Sequence, residues 1–341
     1  MSNPYKAKPE TSFWKPSVGK CAHDALTLAP QNAFALSADD RVATAGSCFA
    51  QNVAKHIKRA GLMHFLQVEE QREDQPLFSA NYGNIYTPLQ LKQLIERANG
   101  QSDIPEDHGD TYAVAKARYI DLYRPYIEPA GYVSLEDLVN ARKAHLDAVM
   151  RMFRDATVFV FTLGLTECWR AAATGAAYPV APATVVEDGS LPATMFDNQD
   201  FAATYEAMAD AIALIRGLNP ALKIMLTVSP VPLTATYTDD HVLAATTYSK
   251  SVLRAVAGEL ASKLEDVSYF PSYEIITAPY WPESYYDANR RTVSEVGIAH
   301  VMRTFEAGYF KTAPQDAGSL FAADDRNVIC DDEQSMESIG F

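Results

Sequence analysis

The chain has 341 residues, 48% of them hydrophobic, and its 29 Lys and Arg residues against 43 Asp and Glu residues give a formal net charge of −14. This composition is typical of a folded globular protein and excludes a disordered chain, while the acidic balance argues against binding to nucleic acid or anionic lipid. The longest apolar runs, such as residues 157–165, are far shorter than the roughly 20 residues that a membrane span needs, so no span is expected.

The N-terminal residues and the cysteines predict a cytoplasmic protein. The first six residues lack the charged and then apolar order of a secretory signal. The four cysteines are too few and too scattered for a disulfide framework or a zinc site, so we expect reduced thiols and no metal. They are Cys21, Cys48, Cys168 and Cys330.

The sequence predicts an N-terminal arm, one α/β domain and a C-terminal tail. Residues 1–40 are polar and contain several prolines, with Phe13 and Trp14 as isolated apolar anchors, which predicts an arm packed on the domain. Residues 41–310 contain no Gly/Ser-rich or Pro-rich linker, so they are expected to form a single domain. Residues 311–341 predict an acidic surface tail whose one cysteine, among carboxylates, is a poor nucleophile.

Predicted strands and helices alternate along this domain. In chain order they are a strand at 41–45, helices at 49–62, 88–95 and 134–153, a strand at 157–163, a helix at 201–216, a strand at 223–228, a helix at 239–263, a strand at 267–270 and a helix at 294–305. The stretches 100–131 and 178–200 are predicted to be irregular. The alternation indicates an open, mainly parallel sheet with helices on both faces, in which a site lies beyond the carboxyl ends of the strands.

Four segments are therefore expected at one edge of the sheet: 46–48, 164–169, 229–230 and 272–274. The first places a small nucleophilic residue where a strand turns into a helix, and the amide groups at a helix start favour an oxyanion or a thiolate. A thiol gains most from that position, because the thiolate is its reactive form. A structural interpretation fits as well, with a turn, a helix cap and a buried cysteine.

The run 46–50, Gly-Ser-Cys-Phe-Ala, spells the signature of the GSCFA family, a branch of the SGNH/GDSL-like hydrolase superfamily. The chain resembles this family in four further segments that follow in the same order, namely 84–87, 161–167, 227–233 and 269–274. The resemblance extends over roughly residues 41–305. It implies a flavodoxin-like, three-layer α/β/α fold.

The resemblance also implies roles for several residues. The ungapped match of residues 46–49 to the superfamily's Gly-Asp-Ser block places the nucleophile on Cys48, and a shift of one residue places it on Ser47. The oxyanion hole would be formed by the backbone at Cys48, by Gly83 and by Thr166, which stands where the superfamily has an asparagine.

The superfamily's terminal Asp-x-x-His is missing, because the segment before the last predicted helix has Arg290 and Arg291 but no histidine. Glu167 is then the best-placed acid or base, although its carboxylate could equally pair with one of those arginines. His300 lies inside the last helix and is expected to be a packing residue. His145, on a helix flank, is a further candidate base.

We therefore expect an esterase or O-acyltransferase that modifies a carbohydrate, such as a polysaccharide, or another hydroxylated small molecule. No cofactor is required, and acyl-CoA or another acyl donor is the candidate co-substrate. The candidate substrate-binding residues are Asn84, Trp169, Ser229, Arg290 and Arg291. The aromatic segment 280–286 is a candidate wall for the acceptor. One alternative is a non-catalytic binding protein for a small molecule or glycan, and another is a redox-sensing thiol at Cys48 with Cys168 as its partner.

Overall fold

A computed structural model describes residues 3–22, 25–72, 75–187, 189–280 and 284–310 of the chain. The strands in this part are, in chain order, β1 (Arg41–Gly46), β2 (His64–Phe65), β3 (Tyr112–Ala115), β4 (Arg118–Asp121), β5 (Val158–Leu163), β6 (Glu167–Ala171), β7 (Ala177–Tyr178), β8 (Thr194–Asn198), β9 (Lys223–Val228) and β10 (Val267–Phe270). The α-helices are α1 (Ala50–Ala60), α2 (Pro88–Ala98), α3 (Leu135–Asp155), α4 (Pro182–Val185), α5 (Phe201–Leu218), α6 (Val242–Lys263), α7 (Ser272–Thr277) and α8 (Glu295–Tyr309).

Five of the strands form a parallel sheet in the order β2-β1-β5-β9-β10. Numbered along the chain, this order is 2-1-3-4-5, which is typical of flavodoxin-like sheets and reverses direction between β1 and β5. The register pairs Gly46 of β1 with Thr162 of β5, and Thr162 with Thr227 of β9. The parallel sheet predicted from the sequence is confirmed, and the carboxyl ends of its strands share one edge.

Helices cover both faces of this sheet because its strands are apolar on both sides. Phe159 and Phe161 of β5 face a core that includes residues of α2, α3, α5 and α6. Val158 and Val160 of the same strand face a second core that includes residues of α1, α7 and α8. This gives the three-layer α/β/α arrangement, and each fully buried large apolar side chain contributes about 1.5–3 kcal/mol to it.

Capping side chains determine where two of the helices begin. Thr87 accepts a hydrogen bond from the amide of Gln90, and the side chain of Gln90 accepts one from the amide of Thr87, while Pro88 occupies the first helical position of α2. Ser134 caps α3 in a similar way. The Gln90 side chain also accepts a bond from the amide of Tyr86, which fixes the backbone that leads into α2.

Two regions predicted to be irregular contain strands, so that prediction is wrong there. Within 100–131, β3 and β4 pair as an antiparallel hairpin. Within 178–200, residues Thr194–Asn198 form β8, which pairs with β6 in a three-stranded antiparallel sheet of order β7-β6-β8. Because β6 begins at Glu167, the chain beyond the end of β5 continues directly into this smaller sheet.

The N-terminal segment contacts the domain through residues 25–36. Gln31 exchanges backbone hydrogen bonds of 2.9 and 3.0 Å with Tyr269 of β10, and its side chain donates to a carbonyl of α6. Phe13 and Trp14 are 39% and 59% exposed, and the ring of Trp14 contacts that of Tyr280 edge-on, with the centroids 4.8 Å apart.

Within the described residues, none of the helices combines the length and the apolarity that crossing a bilayer requires. The predicted acidic tail with Cys330 lies outside the described residues, as do residues 281–283 of the aromatic segment.

Candidate active site

The end of β1 lies against β5 so closely that only glycine fits there. Gly46 has φ +133°, and a Cβ on it would lie 2.4 Å from the carbonyl oxygen of Thr162. The amide of Ser47 donates a hydrogen bond of 3.0 Å to that same carbonyl. The turn after β1 is therefore held at the point where the strand order reverses, which is where ligands bind in sheets of this kind.

Two further motif segments meet this turn. The amide of Ile85 donates to the carbonyl of Gly46 at 2.9 Å, and the amides of Gly164 and Leu165 both donate to the carbonyl of Tyr86. A Cβ on Gly164 would lie 3.0 Å from the Cβ of Ser47 and 3.0 Å from the ring of Tyr86. The structure thus brings together the segments 46–47, 85–86 and 164–165, as the sequence predicts.

The other expected segments lie along the same edge. The amide of Ser229 donates to the carbonyl of Leu163 at 2.9 Å, which joins the ends of β9 and β5. Ser272, at the start of α7, donates its hydroxyl to the carbonyl of Val228 at 3.1 Å. The hydroxyl of Tyr286 donates to the carbonyl of Pro230 at 2.6 Å and so attaches the segment before α8 to this edge.

Ser47 and Cys48 occupy the turn between β1 and α1, and both are buried, at 2% and 3% exposure. Within the described residues the Ser47 hydroxyl has no hydrogen-bond partner, although its oxygen is fully enclosed. The carbonyl of Ser47 accepts from the amide of Ala50 at 2.9 Å, so the chain turns into the helix directly after the two residues. The turn has the predicted location, but neighbouring residues cover its side chains.

The predicted oxyanion donors differ in their surroundings. Gly83 has φ +71° and lines a small cavity with Tyr123 and Arg124. Asn84, the next residue, is buried at 2% exposure. The amide of Thr166 donates to the Ser249 hydroxyl at 3.0 Å and the Thr166 hydroxyl donates to Asn198 at 2.7 Å, so both donors of this residue are already in use.

Glu167 lies at the start of β6, where the carboxylate is held by a neighbouring loop. It accepts hydrogen bonds from the hydroxyl of Thr236 at 2.5 Å and from the amide of Tyr237 at 3.0 Å. These contacts, rather than Arg290 or Arg291, hold the carboxylate. Arg290 is exposed and Arg291 half-buried, in a turn organised by the side chain of Asn289.

Neither candidate histidine has a ring exposed at the strand ends. His300 is buried between the hydroxyl of Tyr285, at 2.7 Å, and the carbonyl of Leu26, at 2.6 Å, which is a packing arrangement as expected. Nδ1 of His145 lies 2.7 Å from a carboxylate oxygen of Glu69, and its Nε2 is buried without a partner among the described residues. Burial, followed by the nearby Arg124, lowers the pKa of His145 to about 4.

Sequence reasoning missed Lys250, a buried cation at the strand ends. It belongs to α6, is 2% exposed, and donates from Nζ to the carbonyl of Gly164 at 2.5 Å. Lys250 lies three residues before Leu253 and seven before Ala257, both buried, so it falls on the apolar face of the helix. A lysine at helical spacing with core residues is the signal that could have identified it.

A partly enclosed cavity of about 120 Å³ adjoins the turn. Its lining includes Tyr86 and Leu165, which contact Gly164 or its neighbours, together with Glu167, Cys168 and Trp169. Burial raises the pKa of the Cys168 thiol to about 12, so it is protonated at neutral pH. The structure thus brings Glu167 and Trp169 to one cavity beside the strand ends, whereas Arg290 and Arg291 do not line it.

The described residues contain no group of three or more His, Cys, Asp or Glu side chains arranged to hold a metal ion. Searches of curated proteins and of solved structures found no match to this chain. The sequence model of the GSCFA family matches residues 41–305, which is more than half of the chain and includes every segment that meets at the strand ends. The protein therefore belongs to the GSCFA family.

Proposed function

We propose that this protein is an acyl-transfer enzyme, an esterase or O-acyltransferase of the SGNH/GDSL-like superfamily, with Cys48 or Ser47 as nucleophile. The observation that carries the proposal is the position of these two residues. They lie between a strand and a helix at the reversal point of a 2-1-3-4-5 parallel sheet, enclosed by the segments 84–86 and 164–166.

The proposed reaction has two halves. The Cys48 thiol or Ser47 hydroxyl adds to the acyl carbonyl and loses its proton to a base, which then protonates the departing group. An acceptor hydroxyl attacks the resulting acyl-enzyme, and its proton returns to the nucleophile as the product ester leaves. Glu167 is the proposed proton carrier, and Lys250, whose Nζ donates to the carbonyl of Gly164, is the proposed stabiliser of the anionic intermediates.

Transfer to a hydroxylated acceptor is proposed in preference to hydrolysis because the terminal Asp-x-x-His, which would supply the base that activates water, is missing from the sequence. An acceptor positioned by the site gains rate from orientation, whereas water has no such advantage. We propose a carbohydrate or another hydroxylated small molecule as acceptor and acyl-CoA or another activated acyl compound as donor. The described cysteines form no disulfide with one another, which supports the proposal of a reducing cytoplasm.

A second candidate is a non-catalytic protein that binds a small molecule or glycan at this edge. The observation that favours it is that neither candidate histidine of the described residues is available at the turn: His300 is bonded on both ring nitrogens and His145 is bonded to Glu69. Both donors of Thr166 are occupied as well.

Acyl turnover separates the two candidates. The protein is incubated with acetyl-CoA or p-nitrophenyl acetate, with and without a panel of mono- and oligosaccharides, and both ester product and free acid are quantified. Acyl transfer predicts ester formation that is lost in the Ser47→Ala, Cys48→Ala double variant and slowed about tenfold or more by Lys250→Met, while Cys21→Ala is unchanged. Absence of turnover and of any covalent acyl adduct, with saccharide binding retained, would instead support the binding protein.

A further inference from the structure

The cavity beside the strand ends is lined mainly by apolar side chains. The residues that line it are Tyr86, Leu165, Glu167, Cys168, Trp169, Pro179, Val180, Ala181, Thr184, Leu233, Thr234 and Ala235. The charged member, Glu167, has its carboxylate bonded to Thr236 and Tyr237. The Cys168 thiol is neutral at pH 7, since burial raises its pKa to about 12. An uncharged, apolar group is therefore the ligand that this lining suits.

Aromatic rings make one side of the cavity rigid. Trp169 contacts Tyr237 edge-on, with ring centroids 4.6 Å apart, and Phe196 at 5.7 Å, and Phe196 and Tyr237 contact each other at 5.2 Å. This cluster joins β6, β8 and the loop that bonds Glu167. Packed rings of this kind keep a pocket open, because none of them can turn inward without losing contacts with the other two.

The volume limits the size of the ligand. The cavity measures about 120 Å³. An apolar cavity of roughly 150 Å³ holds a benzene molecule, so this one accommodates an apolar group of about four or five carbon atoms. The further carbon atoms of a longer chain would lie outside this volume.

The cavity also has a fixed relation to the proposed nucleophiles. Tyr86 and Leu165 line it. A Cβ on Gly164 would lie 3.0 Å from the ring of Tyr86 and 3.0 Å from the Cβ of Ser47. Gly164 therefore lies between Ser47 and the ring of Tyr86, which forms part of the cavity wall.

We propose, on the basis of the proposed acyl transfer, that this cavity binds the acyl group of the substrate and selects short, uncharged chains of about four or five carbons. Each methylene that enters the cavity contributes about fourfold to the rate of acylation. Pentanoyl donors are therefore preferred over acetyl donors by roughly 10- to 60-fold, and the preference ends at octanoyl, whose chain exceeds the cavity.

Two alanines at the start of α4 supply a matched pair of variants. Ala181 lines the cavity, whereas Ala183, two residues further along, is exposed and does not. Rates of acyl release from p-nitrophenyl acetate, pentanoate and octanoate are measured for Ala181→Phe, for Ala183→Phe and for the parent protein. We expect Ala181→Phe to reduce the preference for pentanoate over acetate by at least tenfold, and Ala183→Phe to match the parent protein. Thr184→Leu is a milder second filling variant, and thermal unfolding verifies that each variant is folded.

A binding measurement without chemistry separates the failure of this inference from the failure of the proposed function. Ligand-observed NMR is used with acetamide, pentanamide and octanamide as uncharged acyl analogues. We expect pentanamide to bind, and Ala181→Phe to abolish that binding. Equal chain-length profiles in Ala181→Phe and the parent protein, or pentanamide binding unaffected by Ala181→Phe, would overturn the inference. If pentanamide binds the parent protein but not Ala181→Phe, and no ester acylates the protein, the apolar site would be supported and the acyl-transfer function would be overturned.

Discussion

Gly46 shows how one residue shapes the candidate site. Its φ of +133° belongs to a backbone region that other residues rarely adopt, and the nearby carbonyl of Thr162 leaves no room for a side chain. The turn that carries Ser47 and Cys48 can approach β5 only because this position has no Cβ. A sequence read without coordinates shows the glycine but not the partner strand that demands it.

Replacing Gly46 with alanine is expected to lower the free energy of unfolding by about 3 kcal/mol or more, since both the backbone conformation and the steric contact become unfavourable. Gly61→Ala is the matched control. Gly61 also has positive φ, +60°, but nothing lies within 4 Å of its Cβ position, so a loss of about 1–2 kcal/mol is expected there. Urea unfolding of the two variants measures both values, and equal losses would show that the contact with Thr162 has no energetic consequence.

The surroundings of Cys168 predict a low reactivity for its thiol. Burial raises the pKa of Cys168 to about 12, so the thiol is protonated at pH 7. We expect iodoacetamide at pH 7 to label Cys48 at least tenfold faster than Cys168, as followed by peptide mapping over time. Faster labelling of Cys168, or a disulfide between the two under mild oxidation, would favour the redox-sensing alternative.

At the scale of elements, the repeating strands and helices were predictable and the inserted ones were not. Four of the five strands of the central sheet consist of apolar runs with helical spacing between them, and this periodicity is visible in the sequence. The fifth, β2, has only two residues, His64 and Phe65, and was not predicted. The hairpin of β3 and β4 turns at Lys116 and Ala117, both with positive φ, where Asn-Gly or Asp-Gly would be the usual sequence. Without that signal, nothing in residues 100–131 indicates a hairpin.

The hairpin is tied to the domain by a buried arginine of α3. Arg142 is fully buried and donates to the carboxylate of Asp121 at 2.7 Å, to the hydroxyl of Thr111 at 2.7 Å and to the carbonyl of Glu106 at 2.5 Å. Burial alone would raise the pKa of Asp121, but Arg142 and Arg124 outweigh it and hold that pKa well below its usual value. Arg142 therefore links the hairpin to α3 through several hydrogen bonds.

Arg142→Ala is expected to cost about 3–5 kcal/mol of unfolding free energy, because it removes several bonds and leaves a buried carboxylate with fewer partners. Arg151→Ala is the control on the same helix, where the side chain is exposed, and a change within about 0.5 kcal/mol is expected. Denaturant titrations of both proteins provide the comparison. A loss for Arg142→Ala as small as that for Arg151→Ala would mean that the hairpin is held by other contacts.

At the scale of the whole molecule, buried titratable groups make stability depend on pH. Burial, with Arg124 and Arg97 nearby, lowers the pKa of His145 from 6.5 to about 4, so the folded protein holds this ring neutral. Above pH 6.5 the ring is neutral in both folded and unfolded chains and contributes no pH dependence. As the pH falls from 6.5 toward 4 the unfolded chain binds the proton first, and the folded state loses stability.

Between pH 7.5 and pH 5 this linkage is expected to lower the free energy of unfolding by about 2 kcal/mol. His145→Gln removes the titrating group. Between pH 7.5 and pH 5 the unfolding free energy of this variant should therefore decrease by about 2 kcal/mol less than that of the parent protein, whatever the stability of the variant at pH 7.5. Urea unfolding at the two pH values tests this for both proteins. An identical pH dependence in the variant would show that other groups account for the effect.

The candidate site was predictable from the sequence in its location but not in its contacts. The segments at the ends of β1, β5 and β9 follow from the strand pattern, because parallel strands end at one edge. The burial of Ser47 and Cys48, and the role of Lys250 behind Gly164, follow from the packing of α6 on the sheet. Contacts between elements distant along the chain are not encoded in local periodicity, so one sequence does not reveal them.

The central claim is that Cys48 or Ser47 carries an acyl group during turnover, and trypsin places both in one peptide, residues 42–55, between Arg41 and Lys55. The protein is mixed with p-nitrophenyl pentanoate, quenched in acid within seconds, digested and analysed by fragment mass spectrometry. We expect a pentanoyl group on Cys48, removable by neutral hydroxylamine as a thioester, or on Ser47 and resistant to it. Turnover with this peptide unmodified, or with the acyl group on another residue, would contradict the account.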